Sequence, residues 1–337
     1  LGHASVPGDP TAVAVDRYEG LSGAGGKAAW KIVRSGYPIM DGLYDKDRKY
    51  GFVNAVCQLM LRIPAIALWL DRHRCPEGPE KRTCPVCLLL ESKSRLGRNL
   101  MSALVGKRRI VGDKYQENAV HDPAEFAVDL VEACRRRESA LGFVGKWQVS
   151  EPGEELAITH VDRMFGFVKE ERGRCSRCGT IESHQVLERA LVFEVPCGDS
   201  VPVTMVELYL AWCSVRLEQR LCTKCDSATD WELQRRMVTV PNVLLVRIVC
   251  ALPSEGNSAR QVLLQRREEF CGLATEYEFA GALYRVGQQG VSSSCKSLSL
   301  GPDGAVRWFE EFHRARACVR RVAGDLAYQL PSSLVLV

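Results

Sequence analysis

Two short spacings constrain this chain more than anything else in it: Cys175-Ser-Arg-Cys178 and Cys222-Thr-Lys-Cys225. In a C-x-x-C knuckle two thiolates reach one ion from a tight turn, and two knuckles complete the tetrahedral four-sulfur shell of structural Zn²⁺. The fold must therefore bring the two turns together, with a sub-structure of strands and a helix in the roughly 40-residue gap between them. A closed four-thiolate shell leaves no open position, so its expected role is structural. Four unrelated buried thiols are the competing reading, but these would rarely fall twice into this spacing with polar neighbours.

A second cluster, HRCPEGPEKRTCPVC, offers His73, Cys75, Cys84 and Cys87 as a possible second zinc site. It has Pro and Gly turn residues and one standard knuckle, although the spacing from His73 to Cys75 is short for a zinc motif. The competing reading is a solvated loop with reduced, idle thiols. Fifteen cysteines are many for a reducing compartment, and an odd count with paired C-x-x-C spacings is unlike a secreted disulfide framework. Metal binding is the better expectation.

A net charge of +4 is too mild for a nucleic-acid surface, and the basic runs GKRRI and CRRRES are short enough to be solvated faces. No stretch reaches the roughly 18 consecutive apolar residues of a membrane span, and the first residues lack a signal peptide's charged and apolar regions. The expected setting is intracellular, cytoplasmic or nuclear, with no membrane partner. With 46% apolar and 26% charged residues the chain should be globular.

Residues 1–36 read as a flexible leader, rich in Gly, Ala, Pro and Asp without sustained periodicity. From Phe52 to Leu70, apolar residues recur at helical spacing until Pro64, which predicts a buried helix followed by a kink or a second short helix. Leu96 to Val105 and Pro123 to Arg137 also read as helices, the latter with Asp122 as N-cap and Pro123 at the first helical position. After about residue 155 the texture changes. HVDRMFGFVKEE, HQVLERALVFEVPC, QRRMVTVPNVLLVRIV, TEYEFAGALYRV and SSLVLV are short apolar segments with turn residues at their bounds, and read as strands. A helical lobe over about 40–150 and a strand-rich lobe over about 155–337 predict an α+β architecture, with the cleft between lobes as the default site.

In chain order, residues 37–337 resemble the ubiquitin-specific proteases, deubiquitinases with a papain-like cysteine protease fold. GLYDKDRKYGFVNAVCQLM is similar to the family's first box, in which Asn-x-Gly-Asn-Thr-Cys is followed by an aromatic residue, Asn-Ala and then Gln. HDPAEF is similar to its Gln-Gln-Asp-Ala-His-Glu-Phe segment, keeping Asp122, Glu125 and Phe126. The two knuckles match its finger region, and VPNVLLVRI resembles its Leu-Pro-x-x-Leu strand. YEFAGALYRVG resembles the strand that leads to the catalytic His, with Arg285 at a non-catalytic His; PDGAVRWFEEF and AYQLPSSLVLV resemble the closing strands. The resemblance implies a helical thumb, a β-rich palm and zinc-ribbon fingers held by structural Zn²⁺.

Anchored on Phe52, Asn54, Ala55 and Gln58, the first box places Gly51 where the family has its nucleophilic Cys. Glycine has no thiolate to attack a ubiquitin C-terminal carbonyl. The oxyanion donor falls at Lys46, or at Asp45 if a one-residue insertion lies between them, where a carboxylate would repel the developing oxyanion. Aligned on PDG, the general base becomes Ser294, whose hydroxyl cannot accept a proton near neutral pH. The third catalytic position falls around Glu310 to His313, as a charged strand end that is solvated or lines the cleft.

Two thiols are candidate substitutes. Cys57 lies six residues beyond Gly51, about 240° round an ideal helix, and reads as core. Cys295 follows Ser294, but no histidine is placed by sequence to activate it. The resemblance thus implies a pseudo-deubiquitinase that binds ubiquitin, a ubiquitin-like protein or a partner complex. An active cysteine deubiquitinase is one alternative. A scaffold without ubiquitin binding is another, favoured by Ala124 and Arg285 standing where the family has histidines.

Overall fold

The computed structural model describes residues 50–76, 78–92, 104–105, 110–115, 121–142, 145–148, 155–195, 202–250, 262–264, 267–269, 276–286, 294–300, 306–310, 319–320, 326–328 and 333–336. The leader expected over 1–36, the oxyanion candidates Asp45 and Lys46, and all but the end of the helix expected from Leu96 to Val105 lie outside the described residues.

The chain divides into two compact units, one running to Met164 and resuming over Ala280–Val322, the other made of Phe165–Phe279 and Ala323–Val337. Helices dominate the first part of the first unit. Helix α1, Gly51–Met60, contains no charged residue and is buried along its whole length. Its two polar side chains lie one turn apart and satisfy each other in part, Gln58 Nε2 donating to Asn54 Oδ1 at 2.5 Å. Pro64 cannot donate into a continuing helix, so the chain turns by 92° and helix α2, Pro64–Arg72, starts with that proline at its first position. Helix α3, Pro85–Ser92, follows a 3₁₀ segment at Pro79–Thr83.

Helix α4, Pro123–Ala140, begins as the sequence predicts, with Asp122 Oδ1 accepting from Ala124 N at 2.9 Å. It packs against α1 and α3. Phe52 of α1, Tyr115 and Phe126 of α4 meet with ring centroids 5.1 to 5.8 Å apart, edge to face at Phe126. Glu138, near the end of α4, is buried and accepts from Trp69 Nε1 of α2 at 2.9 Å and from Val161 N at 3.0 Å. Val161 belongs to a short helix, α5, His160–Phe165. That helix corrects the expected strand: HVDRMF is helical because Asp162 Oδ2 accepts from Thr159 N and Thr159 Oγ1, closing a turn before the strand Phe167–Cys175 can start. A hairpin of Gly145–Gln148 and Glu155–Ile158 precedes it.

The first unit is completed by the returning strands Gly281–Val286, Ser294–Leu300, Val306–Glu310 and Val319–Arg320, which pair antiparallel in that order. Helix α1 packs on the first two. In the second unit, Leu245–Cys250 pairs parallel with Leu191–Val195 and antiparallel with Ser333–Leu336. Helix α6, Met205–Cys213, covers Leu191–Val195 and opens with a capping box, Glu207 N donating to Thr204 Oγ1 while Thr204 N donates to Glu207 Oε2.

A four-stranded antiparallel sheet projects both knuckles, its strands in the order Ile181–Glu188, Phe167–Cys175, Ser227–Met237 and Arg216–Cys222. Strands and one helix between the knuckles are what the spacing predicts. No single helix among the described residues is long and apolar enough to cross a membrane.

Candidate functional site

Each cysteine pair of the four-stranded sheet sits where a strand ends and a turn begins. Phe167–Cys175 stops at Cys175, the turn carries Cys178, and Gly179 N returns to Cys175 O at 3.0 Å. Arg216–Cys222 stops at Cys222, and Cys225 lies in the hairpin turn to Ser227. The residue after each second cysteine is left-handed, Gly179 at φ 71° and Asp226 at φ 48°, conformations that Gly and Asp tolerate. The hairpin register between Arg216–Cys222 and Ser227–Met237, together with that between Phe167–Cys175 and Ser227–Met237, brings the two turns side by side.

All four Sγ atoms lie within 4.8 Å of one another, with Cys175 to Cys225 at 3.9 Å and Cys178 to Cys222 at 3.6 Å. A tetrahedral ion with Zn–S bonds of about 2.3 Å needs sulfurs about 3.8 Å apart, so the cage has the size of a Zn²⁺ shell. Trp231 and Leu233 close it from below, both fully buried. Two hydroxyls face the thiols: Thr229 Oγ1 lies 3.3 Å from Cys175 Sγ and Thr180 Oγ1 lies 3.1 Å from Cys178 Sγ. Such groups orient ligands and hold negative charge on sulfur. Thr180 could be suspected from its place beside the first knuckle. Thr229 left no signal, because only the sheet register puts it opposite Cys175's turn.

The second cluster is also assembled. His73 ends α2, Cys75 follows it, Cys84 precedes α3 and Cys87 lies in its first turn, and their four donor atoms lie within 4.8 Å of one another. His73 Nε2 is 3.4 Å from Cys84 Sγ, near the roughly 3.6 Å expected across a tetrahedral Zn²⁺ with one imidazole. Arg137 Nη2 of α4 donates to Cys75 Sγ at 3.6 Å, a contact from 62 residues away that the sequence could not reveal. His73, Cys84 and Cys87 are buried, so the idle solvated loop is excluded as their setting. The donor sets, four thiols in the first cluster and three thiols with one imidazole in the second, suit Zn²⁺.

The positions matched to catalysis lie in the first unit. Gly51 is the first residue of α1 and is buried. Ser294 opens the strand Ser294–Leu300, opposite Val286, and Cys295 is opposite Arg285. Cys57 is fully buried in the middle of α1, and burial pushes its thiol up to about 12. It is therefore a core thiol with no tendency to ionise near neutral pH. Glu310 ends its strand opposite Lys296, and the other residues considered for the third catalytic position lie outside the described residues.

These elements define an α+β fold of the ubiquitin-specific-protease type. In particular, the chain is similar to the SAGA deubiquitinase module of Ubp8, Sgf11, Sus1 and Sgf73 bound to monoubiquitin, with a TM-score of 0.63 and 12% identity over 88% of this chain and 68% of that chain. The same module bound to ubiquitin aldehyde gives a TM-score of 0.62 and 11% identity over 89% of this chain and 70% of that one. The sequence matches no protein-family profile and no curated protein.

Proposed function

We propose that this chain is a catalytically inactive ubiquitin-specific-protease-like protein of the ubiquitin system, which binds ubiquitin, a ubiquitin-like protein or a partner complex through a fold that two structural zinc ions stabilise. The observation that carries the reading is Gly51, a residue without a side chain at the start of the helix whose first turn matches the family's nucleophile box. Ser294 for the base and Lys46 or Asp45 for the oxyanion donor point the same way. Cys57, the nearest thiol in the chain, is buried and holds its proton, which argues against rescue.

Zinc in the two clusters would supply folding energy, with all four positions taken by protein ligands and none left for substrate. Cys175, Cys178, Cys222 and Cys225 would hold one ion, His73, Cys75, Cys84 and Cys87 the other. Loss of the nucleophile removes chemistry without removing affinity, because binding energy spreads over a wide interface away from the scissile bond. The neighbours bound to ubiquitin and assembled with other chains support both kinds of partner.

The test is hydrolysis of a fluorogenic C-terminal ubiquitin amide by the zinc-loaded protein at high enzyme concentration, with ubiquitin binding followed by calorimetry. The reading expects no fluorophore release and a measurable heat of binding to ubiquitin or a relative. Release that a single substitution such as Cys295→Ala abolishes would overturn it in favour of an active enzyme. A second reading, a scaffold without ubiquitin affinity, is favoured by the buried Ala124 at the family's His position and predicts a folded protein with no binding heat.

A further inference from the structure

The four-stranded sheet has two edge strands among the described residues, Ile181–Glu188 and Arg216–Cys222. Among the described residues Arg216–Cys222 pairs on one side only, with Leu217 opposite Glu232, Gln219 opposite Asp230 and Leu221 opposite Ala228. Unpaired N–H and C=O groups on such an edge are a template for another strand. Soluble proteins usually block an edge with Pro, charged side chains, above all Lys, a bulge or a covering element. Here the strand has no Pro or Lys, and two leucines on its open face are among the most exposed large apolar residues described, Leu217 at 73% and Leu221 at 68%. Its charged residues Arg216, Glu218 and Arg220 lie on the opposite face, where Arg216 and Arg220 meet Glu171.

The order of residues identifies the occupant. Read from Leu217, the strand runs Leu-Glu-Gln-Arg-Leu, and it complements itself when turned end for end about Gln219. Antiparallel pairing with a second copy sets Leu217 opposite the other copy's Leu221 and Glu218 opposite its Arg220, twice over, with Gln219 on the axis. Apolar residues meet on one face and opposite charges on the other, both favourable cross-strand pairs. The other edge fails the same operation. A two-fold axis must centre on a residue, since facing side chains share a face; about Gln185 it sets Glu182 opposite Glu188, like against like, and about His184 it sets the carboxylate of Glu182 opposite Val186.

We propose that two copies of this chain associate through strand Arg216–Cys222, joining their four-stranded sheets into one continuous antiparallel sheet across a two-fold axis at Gln219. The contact is isologous, so it closes at a dimer and buries the open edge of both copies.

Sedimentation of the full chain over a concentration series tests this. The wild-type mass should rise toward that of a dimer, and Glu218→Arg or Arg220→Glu, which set like charges opposite each other, should each weaken self-association at least about tenfold. An equimolar mixture of these two variants should dimerise again, because each then faces opposite charges on the other; a merely structural defect would not be rescued by mixing. Circular dichroism and zinc content report whether the variants fold, and Leu221→Glu, at an exposed position, provides a further disruptive variant if either charge change unfolds the protein. A wild type that stays monomeric at its highest soluble concentration, folded variants that self-associate like the wild type, or folded charge variants that stay monomeric when mixed would overturn the proposal.

Discussion

Gly51 and Cys57 lie in the same buried helix and differ in what chemistry they allow. Replacing Gly51→Cys supplies a thiol but, on the proposed reading, leaves Ser294 at the position of the base, so fluorogenic ubiquitin amide should remain uncleaved by this variant in the same assay. Cys57 should resist iodoacetamide at pH 8 in the native protein and react in denaturant, which peptide mass spectrometry would read. Its thiol is both inaccessible and held up to about 12 by burial. Glu171 is the opposite case. Burial would raise its carboxyl, but hydrogen bonds from Arg220 and Arg235 outweigh this and hold it down to about 2. A depressed carboxylate stabilises the fold above its unfolded value, and this contribution is lost as pH falls toward about 2. The stability advantage of wild type over Glu171→Gln, measured by urea unfolding, should be at most about 3 kcal/mol at pH 6 and should shrink progressively below pH 4.5.

Within single elements, close packing and satisfied polar groups set the costs of substitution. Gly173 lies mid-strand, where an added Cβ would come within 2.9 Å of Leu233 Cδ2 and 3.0 Å of Trp231 Cε3. The leucine methyl has some freedom, but the buried indole has little, so Gly173→Ala should cost about 1–3 kcal/mol in chemical denaturation and loosen the adjacent cysteine cage. Glu138 ties the end of α4 to α2 and to α5 through two buried hydrogen bonds. Glu138→Ala leaves the Trp69 indole and the Val161 amide unpaired, with an expected loss of about 3 kcal/mol, measurable as a lower urea midpoint.

Because the two cysteine-rich clusters belong to different units, zinc should be bound and lost at each independently. Metal analysis should find two ions per chain, one for each cluster, with Cys222→Ser removing one and Cys84→Ser the other. Chelation should lower the urea midpoint of the protein, since ions held in these two cages would contribute folding energy. Retention of full stability after zinc removal would show that the thiol cages hold without metal.

Local chemistry in the sequence accounts for much of this. Paired C-x-x-C spacings forecast the cage of Cys175, Cys178, Cys222 and Cys225, while a single knuckle beside His73 and Cys75 raised the second cluster only as a possible site, since ligand geometry requires neighbouring thiols on a turn. Asp122-Pro123 marked the start of α4 and Pro64 the break after α1, because capping and the missing proline N–H act within a few residues. The short helix at His160–Phe165 departs from the strand that its apolar residues suggest, as its deciding contact is a Thr159–Asp162 turn and not an apolar period. Contacts between residues distant in the chain were not legible at all. Thr229 beside Cys175, Arg137 beside Cys75 and Trp69 on Glu138 depend on sheet register and helix packing. The return of Ala280–Val322 to the helical unit has the same origin. Residue order specifies turns, caps and ligand pairs because those forces act locally. Which remote side chains meet is settled when apolar faces are buried together, a condition that no single stretch of the chain expresses.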